Sequence, residues 1–358
     1  MRYFRRLFIS SFNLMLLTGL LLISPAHASE QDCSSICAEA IKHGISATEI
    51  NAYEMPDFEQ PTIDEDLLND RWYMQVDGEI TIHDAPNGNV IRSLDAGFNF
   101  ITALAEQDGW VQINAGEWVN ASALSTSNRV ISQFTGIILD GEFPEYPVAW
   151  VLVNAYPSET PGGPPIETRD MIYRYTLVNI FSTVEIDGWR WYQIGPDAWI
   201  QQMNVSKVLP AERPDEVETD RWVSIDLYEQ VLTAYEGDQP VFATLVSTGL
   251  PRWPTYEGVF NIYFRQTRRN MSWGTPGDDF YFLEEVPWTM FFDEGRALHG
   301  AYWHDGLGYR RSHGCVNLSI TDAHWLYHWV AEVSETLVSR DVEPEGPAVY
   351  VWSSDAYR

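Results

Sequence analysis

From Arg71 onward the chain is written in short alternating runs of apolar and polar residues, each closed by turn formers. Ile80-Thr81-Ile82, Val90-Ile91, Phe100-Ile101-Thr102-Ala103, Trp110-Val111-Gln112-Ile113 and Glu117-Trp118-Val119 are separated by Asn87-Gly88-Asn89 and Asp108-Gly109. A period of two over four to six residues predicts half-buried strands, here of a small β-barrel or sandwich. The pattern returns after residue 220. Trp222–Leu227, Val231–Tyr235 and Val241–Ser247 read as consecutive strands with turns at Glu229-Gln230 and Gly237-Asp238. Gly258–Phe264, Thr289–Phe292, Arg296–His299 and Val349–Trp352 continue the β reading. One helix is predicted over Thr321–Glu335, with Trp325, Leu326, Trp329, Val330 and Val333 on its apolar face. Ser319 and Asp322 supply its capping box.

The strand pattern also repeats. Asp108-Gly109-Trp110-Val111-Gln112-Ile113 followed by Glu117-Trp118-Val119 reappears as Asp187-Gly188-Trp189-Arg190-Trp191-Tyr192-Gln193-Ile194 followed by Ala198-Trp199-Ile200. A turn, a Trp-rich strand, a tight turn and a second Trp-bearing strand recur in order, which implies a duplicated unit. Residues 71–125 and 145–209 resemble bacterial SH3-like domains, small barrels often carried by cell-wall enzymes. The tryptophans read first as core filling and second as ligand contacts. Residues 210–220 hold Pro210, Glu212, Pro214, Asp215, Glu216 and Glu218 and read as a linker. Residues 29–70, acidic and proline-containing with a short helical stretch at Ala38–His43, read as a tether or adaptor segment.

Length and composition set limits. A chain of 358 residues suggests two or three domains. Its 51 acidic residues against 22 basic ones give a net charge of −29, which disfavours nucleic acid as a partner. Arg2, Arg5 and Arg6 precede an apolar run over Leu7–Ile23, and Ala26-His27-Ala28 offers a small-x-small cleavage pattern. Residues 1–28 therefore read as a secretory signal, and Ser10, Ser11, Asn13 and Pro25 argue against a permanent membrane span. The mature protein is expected in the periplasm or cell-wall space. Of the three cysteines, Cys33 and Cys37 are near enough in sequence to pair, leaving Cys315 as an odd thiol in an oxidising compartment.

That odd thiol sits in Ser312-His313-Gly314-Cys315-Val316-Asn317, with His299 thirteen residues before Ser312. An ordinary thiol is only slightly ionised near neutrality, so a nucleophilic cysteine needs a base or a positive field. Gly314 permits a sharp turn before the thiol, which can aim successive N–H groups at one developing oxyanion. A histidine followed by Ser-His-Gly-Cys-apolar-Asn resembles the active-site signature of the L,D-transpeptidases, the YkuD-type catalytic domain. The resemblance extends over residues 220–353, with the catalytic domain set at 221–353. It includes Ser247-Thr248-Gly249, Gly258-Val259-Phe260-Asn261-Ile262, Val286-Pro287-Trp288 and Ala297-Leu298-His299-Gly300. One departure is Thr255-Tyr256, where the family usually has Thr-Pro. A second is the short interval between His299 and Ser312, which implies a compact loop.

The resemblance implies a set of roles. Cys315 is the nucleophile and His299 the general base, oriented by the Gly300 carbonyl. His313, Gly314 and Cys315 contribute oxyanion-hole N–H groups. Ser312, His313 and Asn317 hold the loop and the substrate amide. The implied partner is the peptidoglycan stem peptide of the cell wall. The thiolate attacks its third residue, D-alanine leaves, and an acceptor amine resolves the thioester into a cross-link. Water as acceptor makes the same site an L,D-carboxypeptidase. The fold class expected is mainly β: two small SH3-like barrels, then a β-rich catalytic domain with one main helix. No metal and no organic cofactor are implied.

Other readings compete. A zinc site from His299, His304, His313 and Cys315 leaves the Gly, Ser and Asn without purpose. A papain-like endopeptidase places its cysteine before its histidine, the reverse of the order here. A non-catalytic wall-binding protein has no need of an intact signature. His304 reads first as a solvated loop residue and second as a lid residue, and Arg310 and Arg311 as either a solvated pair or partners of a substrate carboxylate. His324 and His328, one helical turn apart, read as helix surface.

Overall fold

The computed structural model describes residues 44–126, 129–331 and 346–356. The expected signal segment, Cys33, Cys37 and the helical stretch Ala38–His43 lie outside the described residues. The chain is mainly β, with twenty-four strands and three short helices among the described residues. None of those helices is long and apolar enough to cross a membrane.

A six-stranded sheet forms the base of the C-terminal part. Its order is Gly258–Asn261, Ala348–Trp352, Arg221–Asp226, Val231–Glu236, Gln239–Leu245 and Ile137–Ile138. The expected closing strand pairs in parallel with Arg221–Asp226, from Trp222 opposite Ala348 to Asp226 opposite Trp352. Gln230 turns the first hairpin at φ 56° and Gly237 the second at φ 60°. Both faces of the central strands are covered, which explains why nearly every residue in them is buried, polar ones such as Ser224 and Thr233 included. On one face Val223, Ile225, Leu232 and Phe242 meet Leu326 and Val330 of the helix Ile320–Ala331. On the other, Val231, Ala243 and Leu245 meet Trp150 and Leu152 of the second N-terminal unit.

Only part of the expected capping box forms. Ser319 Oγ accepts from Asp322 N at 3.1 Å. The Asp322 carboxylate does not return to Ser319's backbone; it accepts from Gly136 N at 3.0 Å and from Thr244 Oγ1 at 2.6 Å. The residue ties the helix to the sheet beneath it, and burial there raises its pKa to about 6.

A second sheet carries the loop that ends at Cys315. It runs Val316–Leu318, Arg296–Gly300, Tyr281–Asp293, Phe98–Ala103, Trp72–Val76 and Leu124–Ser125, with Phe264–Trp273 also paired to Tyr281–Asp293. The thirteen-residue strand Tyr281–Asp293 bends where Glu285 and Trp288 adopt φ of 49° and 55°. Its far half pairs in parallel with Phe98–Ala103, and its near half runs antiparallel to Arg296–Gly300.

The sequence repeat is a structural repeat. Asp108-Gly109 and Asp187-Gly188 each place two residues at positive φ, about 52° then 77–78°, the conformation of the tightest hairpin turns. Each is followed by two strands, a single 3-10 turn (Ala121–Ala123, Gln202–Asn204) and a third short strand (Leu124–Ser125, Val205–Lys207).

Three expectations need correction. The segment before residue 71 is not a free tether from residue 44 onward. Helices Ala47–Ala52 and Glu65–Leu68 form there, Ile45 N donates to Gln193 Oε1 at 2.8 Å, and Leu68 is buried. Apolar residues among its acids leave solvent: Phe58 and Leu68 join core clusters, and Ile50 is buried. The stretch 210–220 lacks regular structure but does not hang free, because Val217 is buried with Trp222 and Tyr235. Finally, Gly258–Phe264 is not one strand: it breaks after Asn261, and Phe264–Trp273 starts the long hairpin.

Candidate active site

His299 lies on the strand Arg296–Gly300, which pairs in parallel with Val316–Leu318. The register sets His299 opposite Asn317. Cys315, two residues before Asn317, falls on the same side of the pleat by the period of two. Both side chains line one cavity of about 340 Å³. Cys315 carries a free thiol. Gly300 permits the close packing behind the histidine: a Cβ there would lie 3.1 Å from Pro287 Cγ and 3.2 Å from Ile320 Cα.

The imidazole is fixed in one tautomer. Nδ1 lies 3.1 Å from the Gly300 carbonyl, so it carries the proton and leaves the Nε2 lone pair free. Burial pushes the His299 pKa down to about 4, against a small upward pull from that carbonyl. Burial also pushes the Cys315 thiol up, opposed by the Ala297 N–H and the Arg296 guanidinium. Both shifts disfavour charge, so the resting pair is neutral imidazole and neutral thiol.

The turn before the thiol is held from three sides. Gly314 sits at φ +112°, a conformation side chains resist. Its N–H donates to Ser312 Oγ at 3.1 Å, and the Ser312 hydroxyl donates to the Cys315 carbonyl. Thr255 Oγ1 donates to the Gly314 carbonyl at 2.9 Å and accepts from Gly249 N at 3.0 Å. Thr255 thus clamps the turn. Tyr256, standing where the family usually has proline, places its ring 4.1 Å below the Arg296 guanidinium. Arg296 donates in turn to the Pro254 carbonyl at 3.2 Å and pairs with Asp293 at 2.9 Å.

Several expected residues take different positions from those the sequence suggested. The Gly314 N–H, expected among the oxyanion donors, is engaged by Ser312. The His313 ring stacks on Trp253, with centroids 3.7 Å apart, and also meets Trp273 and Tyr281. It is a packing element in an aromatic cluster. His304 is not a solvated loop residue. Its Nδ1 accepts from Gly306 N at 3.0 Å, and its Nε2 lies 2.8 Å from the Asn317 carboxamide. Since Nδ1 is an acceptor, Nε2 bears the hydrogen, and the Asn317 oxygen is its proper partner. That assignment satisfies an oxygen otherwise buried without one. Burial, then Arg311 and His299, push the His304 pKa down to about 3.

The two arginines part company. Arg310 donates to the Leu227 carbonyl at 3.3 Å, whereas Arg311 lines the thiol cavity. His324 and His328 meet edge to face at 4.5 Å beside Trp288. No three His, Cys, Asp or Glu side chains are grouped to hold a metal among the described residues. Sequence reasoning passed over Phe98 and Trp303, which line the cavity, and Arg296, whose charge acts on the thiol. Nothing in their neighbourhood along the chain distinguishes them.

A half-buried thiol, an oriented neutral imidazole and a clamped glycine turn are the parts that cysteine nucleophilic chemistry requires. Residues 220–346 match the YkuD family, described as the L,D-transpeptidase catalytic domain. A curated relative, YciB of Bacillus subtilis (strain 168), provisionally named an L,D-transpeptidase, is 26% identical over 149 residues. The match covers 37% of this chain and 73% of that protein. Among solved structures, a cysteine-to-serine mutant of the Enterococcus faecium L,D-transpeptidase is 24% identical, with a TM-score of 0.31. It covers 37% of this chain, and the chain spans only half of that protein's length. The isolated catalytic domain from E. faecium is 22% identical, at 38% and 99% coverage and a TM-score of 0.31.

Proposed function

We propose that this chain is an exported peptidoglycan L,D-transpeptidase in which Cys315 forms the acyl-enzyme. The observation that carries the reading is the shared cavity of His299 and Cys315, with the Nδ1 hydrogen committed to Gly300 and Nε2 free. The thiol proton passes to Nε2 as sulfur attacks the carbonyl carbon of the stem's third residue. The oxyanion takes hydrogen bonds from the His313 and Cys315 backbone N–H groups. Collapse breaks the bond to the terminal D-alanine, whose amine leaves with the imidazolium proton. An acceptor amine then attacks the thioester and gives a proton to His299, which passes it to the departing sulfur, leaving an amide, the free thiol and the neutral imidazole. Arg311 meets a stem carboxylate at the cavity rim. The two repeated N-terminal units serve as SH3-like wall-binding modules, and residues 1–28 are the export signal.

The test is direct. Mature protein incubated with tetrapeptide-bearing muropeptides should release D-alanine, give dimers joined through third residues and carry a mass adduct on Cys315. Release without dimers would reassign the activity to a carboxypeptidase; neither release nor adduct would leave only wall binding.

A pH profile follows from the resting charges. The imidazole accepts the thiol proton only while neutral, so kcat/KM should be flat across neutral pH and fall through about 4. An acid limb centred near the ordinary imidazole value of ~6.5 would show that the ring is not desolvated as described.

A further inference from the structure

The cavity around the thiol is not built by the catalytic segment alone. The strand Phe98–Ala103, about two hundred residues upstream, completes its outer wall. Phe98 pairs opposite Tyr281, Asn99 opposite Phe282 and Phe100 opposite Leu283. Phe98 N donates to the Phe280 carbonyl at 3.1 Å. The junction is tight, since a Cβ on Gly97 would lie 2.3 Å from that same oxygen.

Contacts behind the strand hold it in place. Thr102 N donates to the buried Glu284 carboxyl at 2.6 Å, Tyr73 stacks on Tyr302 at 3.5 Å, and Arg71 pairs with Glu285 at 2.9 Å. Phe100, next but one along the strand, is fully buried against Tyr302. Phe98 is different: its side chain remains 44% exposed and lines the thiol cavity with Met271, Tyr281 and Leu283. These four make an apolar wall to the cavity whose other lining includes His299 and Cys315. A single exposed phenylalanine has no meaning by itself. One held in the wall of a nucleophile's cavity by paired backbone presents a fixed apolar face to whatever the nucleophile attacks.

We propose that Phe98 is a substrate-contacting specificity residue, and that the N-terminal unit is thereby part of the active site. Its ligand is the uncharged aliphatic portion of the acyl donor, packed beside the reacting carbonyl. The donor's identity as a stem peptide rests on the function proposed above; the apolar wall does not.

Two readouts separate these claims. In the full mature chain, Phe98→Ala should raise KM for tetrapeptide muropeptides about tenfold with kcat within about twofold, the loss expected for one apolar contact. Phe98→Leu should recover most of it. Independently of any muropeptide, the rate of Cys315 alkylation by N-benzylmaleimide relative to iodoacetamide should fall several-fold in Phe98→Ala and recover in Phe98→Leu. Absence of D-alanine release by the parent protein would remove the peptidoglycan reading, and the alkylation ratio would still decide the wall. An unchanged ratio overturns the proposal. So does a ratio unchanged because both reagents slow together with a lowered melting temperature, which would make Phe98 a structural residue only.

Discussion

Cys315→Ser is expected to abolish D-alanine release to within about one part in ten thousand while leaving the fold intact. Loss of the nucleophile from a site that acts as a unit costs many orders of magnitude, and a hydroxyl restores little of it. The reason here is acidity. A serine hydroxyl is a far weaker acid than a thiol, and the base beside it has had its own pKa pushed down to about 4 by burial. The fold should not notice the change, since sulfur's polar contacts are a long 4.0 Å approach to the Gly295 carbonyl and the Ala297 N–H, both of which a hydroxyl can replace. Intact-mass analysis after incubation with muropeptides checks both halves: no acyl adduct, and a parental melting temperature. Retention of more than a tenth of the activity would place the nucleophile elsewhere.

Gly314→Ala should cost about a hundred-fold in kcat/KM despite adding a single methyl group. At φ +112° an L side chain is strained, by about 1–2 kcal/mol or more. The added Cβ would also lie 2.8 Å from Arg296 Nε and 3.3 Å from the Pro254 carbonyl. Something must move. If Arg296 moves, its hydrogen bond to Pro254 and its field on the thiol are lost; if the turn moves, the adjoining N–H groups leave the oxyanion. Misplacement of a reacting group by about 1 Å is enough for a loss of that size. Steady-state kinetics with a melting curve test the claim. A variant as active as the parent would mean that the turn relaxes freely and that its geometry is not set by Gly314.

Much of the catalytic segment was legible along the chain because its signals are local. The hairpins at Gln230 and Gly237, the closing strand near Trp352 and the helix after Ser319 all appear where apolar periodicity and turn formers put them. The long hairpin Phe264–Trp273 with Tyr281–Asp293 was not legible. Arg265, Gln266, Arg268, Arg269 and Asn270 lie along a strand that buries only Met271, so the period of two is missing. The helix Ala47–Ala52 was overlooked although its signal is plain: Ser46 and Glu49 form a complete capping box. His304 was misjudged because nothing within its loop shows that Asn317 and Gly306 N–H wait for its two nitrogens.

The order of residues by itself determined which atoms are chemically capable. A thiol, an imidazole and a glycine turn spaced as they are here supply the parts of the proposed nucleophile, and those are properties of side chains and of φ, fixed once the sequence is written. What pairing across long separations decided is the surroundings: which tautomer His299 holds, that burial keeps both partners neutral, and that a strand near residue 98 walls the cavity. Those depend on neighbours distant in the chain, where desolvation and hydrogen-bond geometry arise only when the sheets have closed.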